Sequence, residues 1–392
     1  MKDFTYYSPT KVLFGKDVET KIGPTLAEAG YSKVLVHYGG GSVKRSGLLG
    51  RVLKSLTASK IEYVELGGVE PNPKIELVRT GMELVKKEKV QLILAVGGGS
   101  VIDSAKGISL GVAHNRDPWE MIINGIAPTK RMPLASMLTI SSAGSEMSYS
   151  HVLSNPSKNL KRSLNSDLLR PDFSFQNPKY TKTVSSYQTA CGIVDTFMHT
   201  LERYCTPDTD SDLTDRIAEG LMVAVKRAGK VVMENPNDYE ARSTLMWASS
   251  LSHNGLTGCG KSFNFPAHKI EHDISGLHDE ISHGAGLAVV FPAWAKYIYK
   301  HDVRRFAQLA VRVWGVEMDH DNHERVALWG IEAMKSYFKS IGMPTTMQEL
   351  GVDVSEYEKL ANMTTQNDKV PVASYIPLGV KEIVEIFKIA SE

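Results

Sequence analysis

The sequence predicts a two-part α/β protein: a parallel-sheet domain over residues 1–182, followed by an all-helical domain over 183–392. Three observations predict it. A chain of 392 residues exceeds what one ordinary core organises. Its first part alternates short β-branched runs with helical stripes, and the runs stop at glycine clusters. After about Pro178 strand-like runs become rare and long helical stripes take over.

The elements follow in order. Val34–Val36 opens a β-branched run that ends in Gly39-Gly40-Gly41, and Val90–Val96 runs into Gly97-Gly98-Gly99. Between them, Leu48–Leu56 and Ile75–Lys87 carry apolar residues at helical spacing, among them Val78, Met82 and Val85. Glu70-Pro71-Asn72-Pro73 reads as a loop, because two prolines in four residues deny both a helix and a central strand. Strand, helix, strand, helix implies a parallel sheet covered on both faces. Beyond Pro178, Leu213, Ile217 and Leu221 mark one helical stripe, and Val303, Phe306, Ala310 and Val313 another. Val326–Ile341 forms a third, stopped by Gly342 with Pro344 beyond.

Composition narrows the function. Hydrophobic residues make up 42% and charged residues 23%, a soluble globular balance. A formal net charge of +1 argues against a nucleic-acid partner, which usually calls for a basic excess. Cys191, Cys205 and Cys259 form no CxxC pair, so the thiols read as small core residues in a reducing, cytoplasmic setting. The N-terminus lacks an apolar core of signal-peptide length, and the apolar stretches near Leu92–Val96 and Leu287–Phe291 are too short to span a bilayer.

Glycine loops carry the first chemical signal. Gly97-Gly98-Gly99-Ser100-Val101-Ile102-Asp103 follows an apolar strand and opens a helix, so the backbone can approach a phosphate and offer it helix-start N–H groups. Ile102 stands where the GxGxxG dinucleotide fingerprint has its last small residue, so this is not that motif. A tight strand-to-helix turn with no ligand is the plain reading. Gly39-Gly40-Gly41-Ser42 ends the earlier strand without the acid that usually holds a ribose 2′-hydroxyl, and Lys44 and Arg45 follow closely. That combination leaves room and positive charge for a 2′-phosphate and favours NADP, with NAD open. A third stretch, Thr139-Ile140-Ser141-Ser142-Ala143-Gly144-Ser145-Glu146, is small and hydroxyl-rich and can wrap a ribose or nicotinamide, or serve as an ordinary loop.

Histidines carry the second. Asp195 and His199 are four apart, as are His268 and His272, so each pair shares a helix face; His278 and His283 follow within a short segment. A lone histidine is usually structural, but this clustering points to a metal site, with Asp195, His199, His268 and His283 as ligands. One carboxylate and imidazoles suit Fe(II), Zn(II), Ni(II), Co(II) or Mn(II). His272, one turn past His268, is placed to stand behind the ligands or to shuttle a proton. His268-Lys269-Ile270-Glu271-His272 also spells the HxxEH signature of a zinc peptidase, with Glu271 as general base. That reading leaves Asp195, His199 and the glycine loops without a role. No GxSxG elbow supports a Ser-His-Asp hydrolase.

Taken together, PTKVLFG, HYGGGSVKRSG, VEPNP, AVGGGSVIDSAK, AGSEM, YQTACGIVDTFMHTLE, HKIEH and SHGAGLA make nearly the whole chain resemble the iron-containing (group III) alcohol dehydrogenases, in their butanol dehydrogenase-like branch. The resemblance implies an α/β N-terminal dinucleotide-binding domain and an all-α C-terminal metal-binding domain, with the active site in the cleft between. It puts the metal ligands at Asp195, His199, His268 and His283. It puts cofactor contacts at Gly39, Gly40, Gly41, Ser42, Gly98, Gly99, Ser100, Asp103, Thr139, Ser142 and Lys161. His272 matches a histidine near the substrate, and Asp195, His268 and His272 are thereby the catalytic candidates. The implied activity is hydride transfer between NAD(P) and short primary alcohols or aldehydes, with Fe(II) or Zn(II) as the metal, in a cytoplasmic homodimer with no nucleic-acid or membrane partner. A polyol or lactaldehyde-type NAD dehydrogenase and a binding protein without catalysis are the alternatives. Two departures stand out. One extra residue lies between His268 and His283, within 276–281, so that His278 competes for the last ligand position. Phe263-Asn264-Phe265-Pro266 stands where relatives in this branch commonly carry Asp-Trp.

Overall fold

The computed structural model describes residues 1–158, 160–208 and 210–392. Its strands are β1 (Lys11–Phe14), β2 (Lys33–Gly39), β3 (Glu62–Val69), β4 (Leu92–Gly97), β5 (Leu134–Leu138), β6 (Ser150–Asn155), β7 (Leu160–Asn165) and β8 (Phe173–Gln176). Six of them pair in parallel, in the order β1-β8-β5-β4-β2-β3, and β6 and β7 form an antiparallel hairpin. Around them run α1 (Ile22–Glu28), α2 (Ser42–Arg45), α3 (Leu48–Ala58), α4 (Ile75–Glu88), α5 (Gly99–His114) and α6 (Pro118–Ile123). The chain continues through α7 (Ser186–Tyr204), α8 (Asp212–Glu234), α9 (Tyr239–His253), α10 (Pro266–Leu277) and α11 (His283–Ile298). The last helices are α12 (Val303–Leu309), α13 (His323–Ser340), α14 (Met347–Leu350), α15 (Tyr357–Thr365) and α16 (Val380–Ile389).

Two compact units result. One comprises Tyr7–Val184 and Asn237–Asn254; the other comprises Met1–Tyr6, Ser185–Pro236 and Gly255–Glu392. Helix α9 therefore folds with the sheet, although it lies in the helical part of the sequence.

In the sheet unit, alternate residues of one strand enter different cores. Val34 and Val36 of β2 pack with Leu92, Leu94, Met137 and Phe175 and with Val52 and Leu56 of α3. Leu35 and Ile93 point the other way, towards Val78 of α4 and Ile102 and Ile108 of α5. A parallel sheet buried on both faces explains why its strands read as unbroken apolar runs. Tracing the strand order, the chain steps from β2 outward to β3, then returns to the far side of β2 to build β4 and β5. The direction of winding thus reverses between β2 and β4, the two strands that end in glycine runs.

In the helical unit, α7 is buried from Thr189 to Tyr204 and α11 from Gly284 to Ala295. Helices apolar or paired on every side belong at the centre of a bundle. Helix α13 ends at Ser340, and Gly342 takes the left-handed conformation (φ +80°) that stops it. Helix α8 differs from expectation: Leu213 is 68% exposed and Ile217 and Leu221 are only half-buried. The buried face carries Asp215 and Glu219 instead, because Asp215 pairs with Lys261 and Arg305 while Glu219 accepts from Tyr204 and Arg312. Among the described residues no helix is long and apolar enough to cross a membrane.

Candidate metal centre and nucleotide loops

Helix α7 starts at Ser185, whose side chain accepts from the Gln188 amide at 3.2 Å. From that start, Asp195, His199 and Glu202 fall at i, i+4 and i+7 on one buried face. Helix α10 begins with Pro266 and brings His268, Glu271 and His272 round over one turn. His283 is the first residue of α11. Behind it, a Cβ on Gly284 would lie 2.2 Å from the Cys191 carbonyl oxygen, so only glycine lets α11 approach α7 this closely.

These helices aim their imidazoles at one oxygen. Oδ1 of Asp195 lies 3.3 Å from Nδ1 of His199, 3.7 Å from Nε2 of His268 and 3.9 Å from Nε2 of His283. The Asp195, His199 and His268 donor atoms all lie within 4.8 Å of one another. The rings of His199 and His268 are 4.6 Å apart between centroids, and those of His268 and His283 are 5.1 Å apart. The four residues expected as ligands are thus brought together by three helices of one unit. His272 stands beside them, its ring 5.4 Å from that of His283 and half-buried. His278 is elsewhere: it caps the end of α10 and directs Nε2 to Glu356 at 3.1 Å. Of the two candidates for the last position, His283 is the one beside Asp195.

The Nδ1 atoms of His268 and His283 are engaged by Glu202 and Glu271, two fully buried carboxylates. Glu271 is thus buried and committed to His283, an arrangement unlike the open general base of the peptidase reading. The Phe265 ring stands edge-on to His268 at 5.3 Å, and the buried Arg203 guanidinium lies 5.1 Å from the Phe263 centroid and 4.8 Å from that of Phe265. The unusual Phe263–Pro266 segment thus backs the histidines with an apolar wall.

Electrostatics agrees with the donor set. Burial works against ionisation of Asp195, yet His199, His268 and His283 hold its carboxyl well below the usual range. Burial likewise opposes charge on His268, but Glu202 and Asp195 lift it to about 9. A pocket that draws a proton onto a buried imidazole is short of positive charge. A divalent cation fits that deficit, and one carboxylate with imidazoles is a suitable set for it.

The other set of candidates lies in the sheet unit. Gly39, Gly40, Gly41 and Ser42 join β2 to α2, and Gly41 holds φ +130°, a conformation residues with side chains rarely adopt. Gly98 and Gly99 join β4 to α5, with Ser100 and Asp103 in its first turns. A Cβ at Gly98 would meet Ile140 at 2.3 Å, so the glycine lets the third loop close over the second. Thr139 enters that loop from β5 and donates from its amide to Gly97 at 3.1 Å; Ser142 follows within it. These residues gather at the carboxyl ends of β2, β4 and β5, neighbours in the sheet that straddle the point where the winding reverses. Ligands of open α/β sheets bind at such crevices. No side chain of its own N-cap residue caps α5, the kind of helix start that can receive an anion. Lys161 sits buried on β7, opposite Ser154. Asp103 turns its carboxylate to protein groups, accepting from Ser145 Oγ at 2.5 Å and the Val152 amide at 3.0 Å.

Sequence reasoning passed over two residues. Glu202 was detectable, since it falls two turns beyond Asp195 on the same face. Lys106, three residues after Asp103, is fully buried and donates to Ser145 Oγ and the carbonyls of Ser148 and Ser150; burial pushes its pKa down to about 8.

Known proteins carry the same plan. Residues 9–178 match the family model described as iron-containing alcohol dehydrogenase, and residues 189–391 match the one described as Fe-containing alcohol dehydrogenase family, C-terminal. The chain is 41% identical over 389 residues to NADH-dependent butanol dehydrogenase A of Clostridium acetobutylicum, which covers 99% of each chain. It is 35% identical to NADPH-dependent aldehyde reductase YqhD of Escherichia coli over 92% of each chain. The crystal structure of NADH-dependent butanol dehydrogenase A from Thermotoga maritima matches at a TM-score of 0.96 and 36% identity, over 100% of this chain and 99% of that one.

Proposed function

Because the chain belongs to the iron-containing alcohol dehydrogenase family, we propose that it interconverts short primary alcohols and their aldehydes, of about butanol size, at the Asp195–histidine centre. The broader activity is that of a metal-dependent, NAD(P)-linked alcohol dehydrogenase or aldehyde reductase. The observation that carries the site is the convergence of His199, His268 and His283 on one oxygen of Asp195.

In this reading Asp195, His199, His268 and His283 hold the cation, and Fe(II) and Zn(II) are the metals we favour. The bound groups would supply Lewis acidity towards the substrate oxygen and a hydride donor or acceptor. The chain's own residues do the rest. The apolar wall of Phe263 and Phe265 keeps water from the buried side of the centre. His272, half-buried at its edge, passes the alcohol proton to solvent or returns it to the forming alcohol. Gly39, Gly40, Gly41, Ser42, Gly98, Gly99 and Ser100 admit the pyrophosphate and adjoining ribose at the sheet's reversal point, with Thr139, Ser142 and Lys161 closing over them. Asp103 fastens that closing loop through Ser145 and ties it to β6 through the Val152 amide.

We favour NADP over NAD. The end of β2 offers no acid to a 2′-hydroxyl; Lys44 lies over the Tyr38 ring at 5.0 Å, and the Arg45 guanidinium borders Gly41. A cytoplasmic homodimer completes the reading. The exposed Phe14–Trp247 pair at the β1 edge of the sheet supports association.

One experiment tests this function: metal analysis, with rates for NADPH and NADH over a panel of small aldehydes. Expected are one divalent ion per chain and faster turnover of butanal with NADPH. Higher rates with NADH would reverse the cofactor preference, and polyol or lactaldehyde as the better substrate would reassign the specificity. No turnover with any metal would leave a binding protein.

A further inference from the structure

The carboxylates behind the histidines form a chain of their own, in which each helix fixes the histidine of the next. Glu202, on α7, reaches His268 at the start of α10. Its other oxygen accepts the Ala267 amide at 2.6 Å, at an α10 N-terminus that no residue of its own caps. Glu271, on α10, reaches His283 at the first position of α11. Room for it comes from Gly286, where a Cβ would lie 2.6 Å from the Glu271 Cγ. Both glutamates are fully buried.

We propose that Glu202 and Glu271 are positioning residues that select the tautomer and ring direction of His268 and His283. A carboxylate can only accept, so each one demands the proton on Nδ1, and when a cation displaces the second proton it is Nε2, beside Asp195, that would take up the ion. The assignment rests on the ligand set proposed above. At Glu202 the demand is double, because both oxygens already accept from N–H groups of α10. A glutamine there puts an NH₂ where one acceptor stood, and either the Ala267 amide or His268 loses its partner.

The test is titration of chelator-treated protein with Co(II), followed by its visible spectrum and by competition with a chelator of known affinity. Glu202→Gln should weaken Co(II) binding roughly 10–100-fold and alter the ligand-field bands. Glu271→Ala, which removes the acceptor of His283, should fall inside the same range. Glu219→Gln, at a buried carboxylate of the same unit that serves Tyr204 and Arg312 instead, should lower Tm without changing Co(II) affinity. Glu202→Asp should recover part of the loss if the variant protein is folded. Unchanged affinity in Glu202→Gln and Glu271→Ala, or an equal loss in Glu219→Gln, would overturn the proposal. Asp195→Ala serves as the separate arm: if it too binds Co(II) normally, the ligand set itself is wrong, whereas loss there with intact binding in the glutamate variants refutes only the positioning role.

Discussion

At the scale of single residues, the proposed centre separates holding from proton movement. His272 stands next to His283 but outside the group around Asp195, so His272→Ala should keep its metal while kcat falls roughly 10²-fold, the usual weight of a general acid–base group. Metal analysis and steady-state rates on one preparation check both halves, and loss of metal would make His272 a ligand. A second residue-scale prediction concerns His37. It is wholly buried on β2, bonded to the Leu66 carbonyl at 2.8 Å and Ser104 Oγ at 2.9 Å, and burial pushes its pKa down to about 4. The unfolded chain takes up this proton near pH 6.5, whereas the folded one resists until about pH 4. The stability His37 provides is therefore complete above the unfolded value, declines as pH falls through that window, and amounts to roughly 3 kcal/mol at most. Tm measured across this range should fall less steeply in His37→Gln than in the parent, once compared at matched stability near pH 7.

Among elements, α7 and α11 meet backbone to backbone at Gly284. Gly284→Ala drives a methyl into the backbone at Cys191, which cannot swing aside as a side chain would. Overpacking of this kind costs about 1–3 kcal/mol, and because His283 precedes the glycine, metal retention should fall with Tm. A variant with full Tm and full metal would show that the helices can slide. The same elements show what the sequence discloses. The strands were legible because a sheet covered on both faces needs continuous apolar runs; Asp195 and His199 were legible because helical spacing aligns them, and His268 because it stands one turn before His272 in a histidine cluster. The buried face of α8 was not. Asp215 and Glu219 look solvent-facing until Lys261, Arg305 and Arg312 arrive from distant segments to neutralise them. Nor could spacing decide between His278 and His283, since the answer depends on α10 ending at Leu277 and turning His278 towards Glu356.

For the molecule as a whole, the chain passes between its two units at four points, so no single cut separates them. Helix α9 supplies Ser250 to the buried Glu146 at 2.5 Å and to Gln176 at 2.9 Å, and Asn254 just beyond it accepts from Arg170 at 3.0 Å. A fragment of residues 7–184 would leave these groups unanswered in its interior and should not unfold cooperatively. Joined to residues 237–254 through a flexible linker, it should regain a sigmoidal melting curve, and identical melting with and without that segment would dismiss its role. The metal centre has a different reach. The proposed donors come from two regions of the chain, residues 195–199 and 268–283, so an ion held there would work as a reversible cross-link that shortens the slack of the unfolded polypeptide. Chelation should lower Tm, and added metal should raise it in proportion to the logarithm of the free ion. Heat resistance then becomes a gauge of metal supply, and a cell short of the ion would lose the protein to unfolding as well as to idleness.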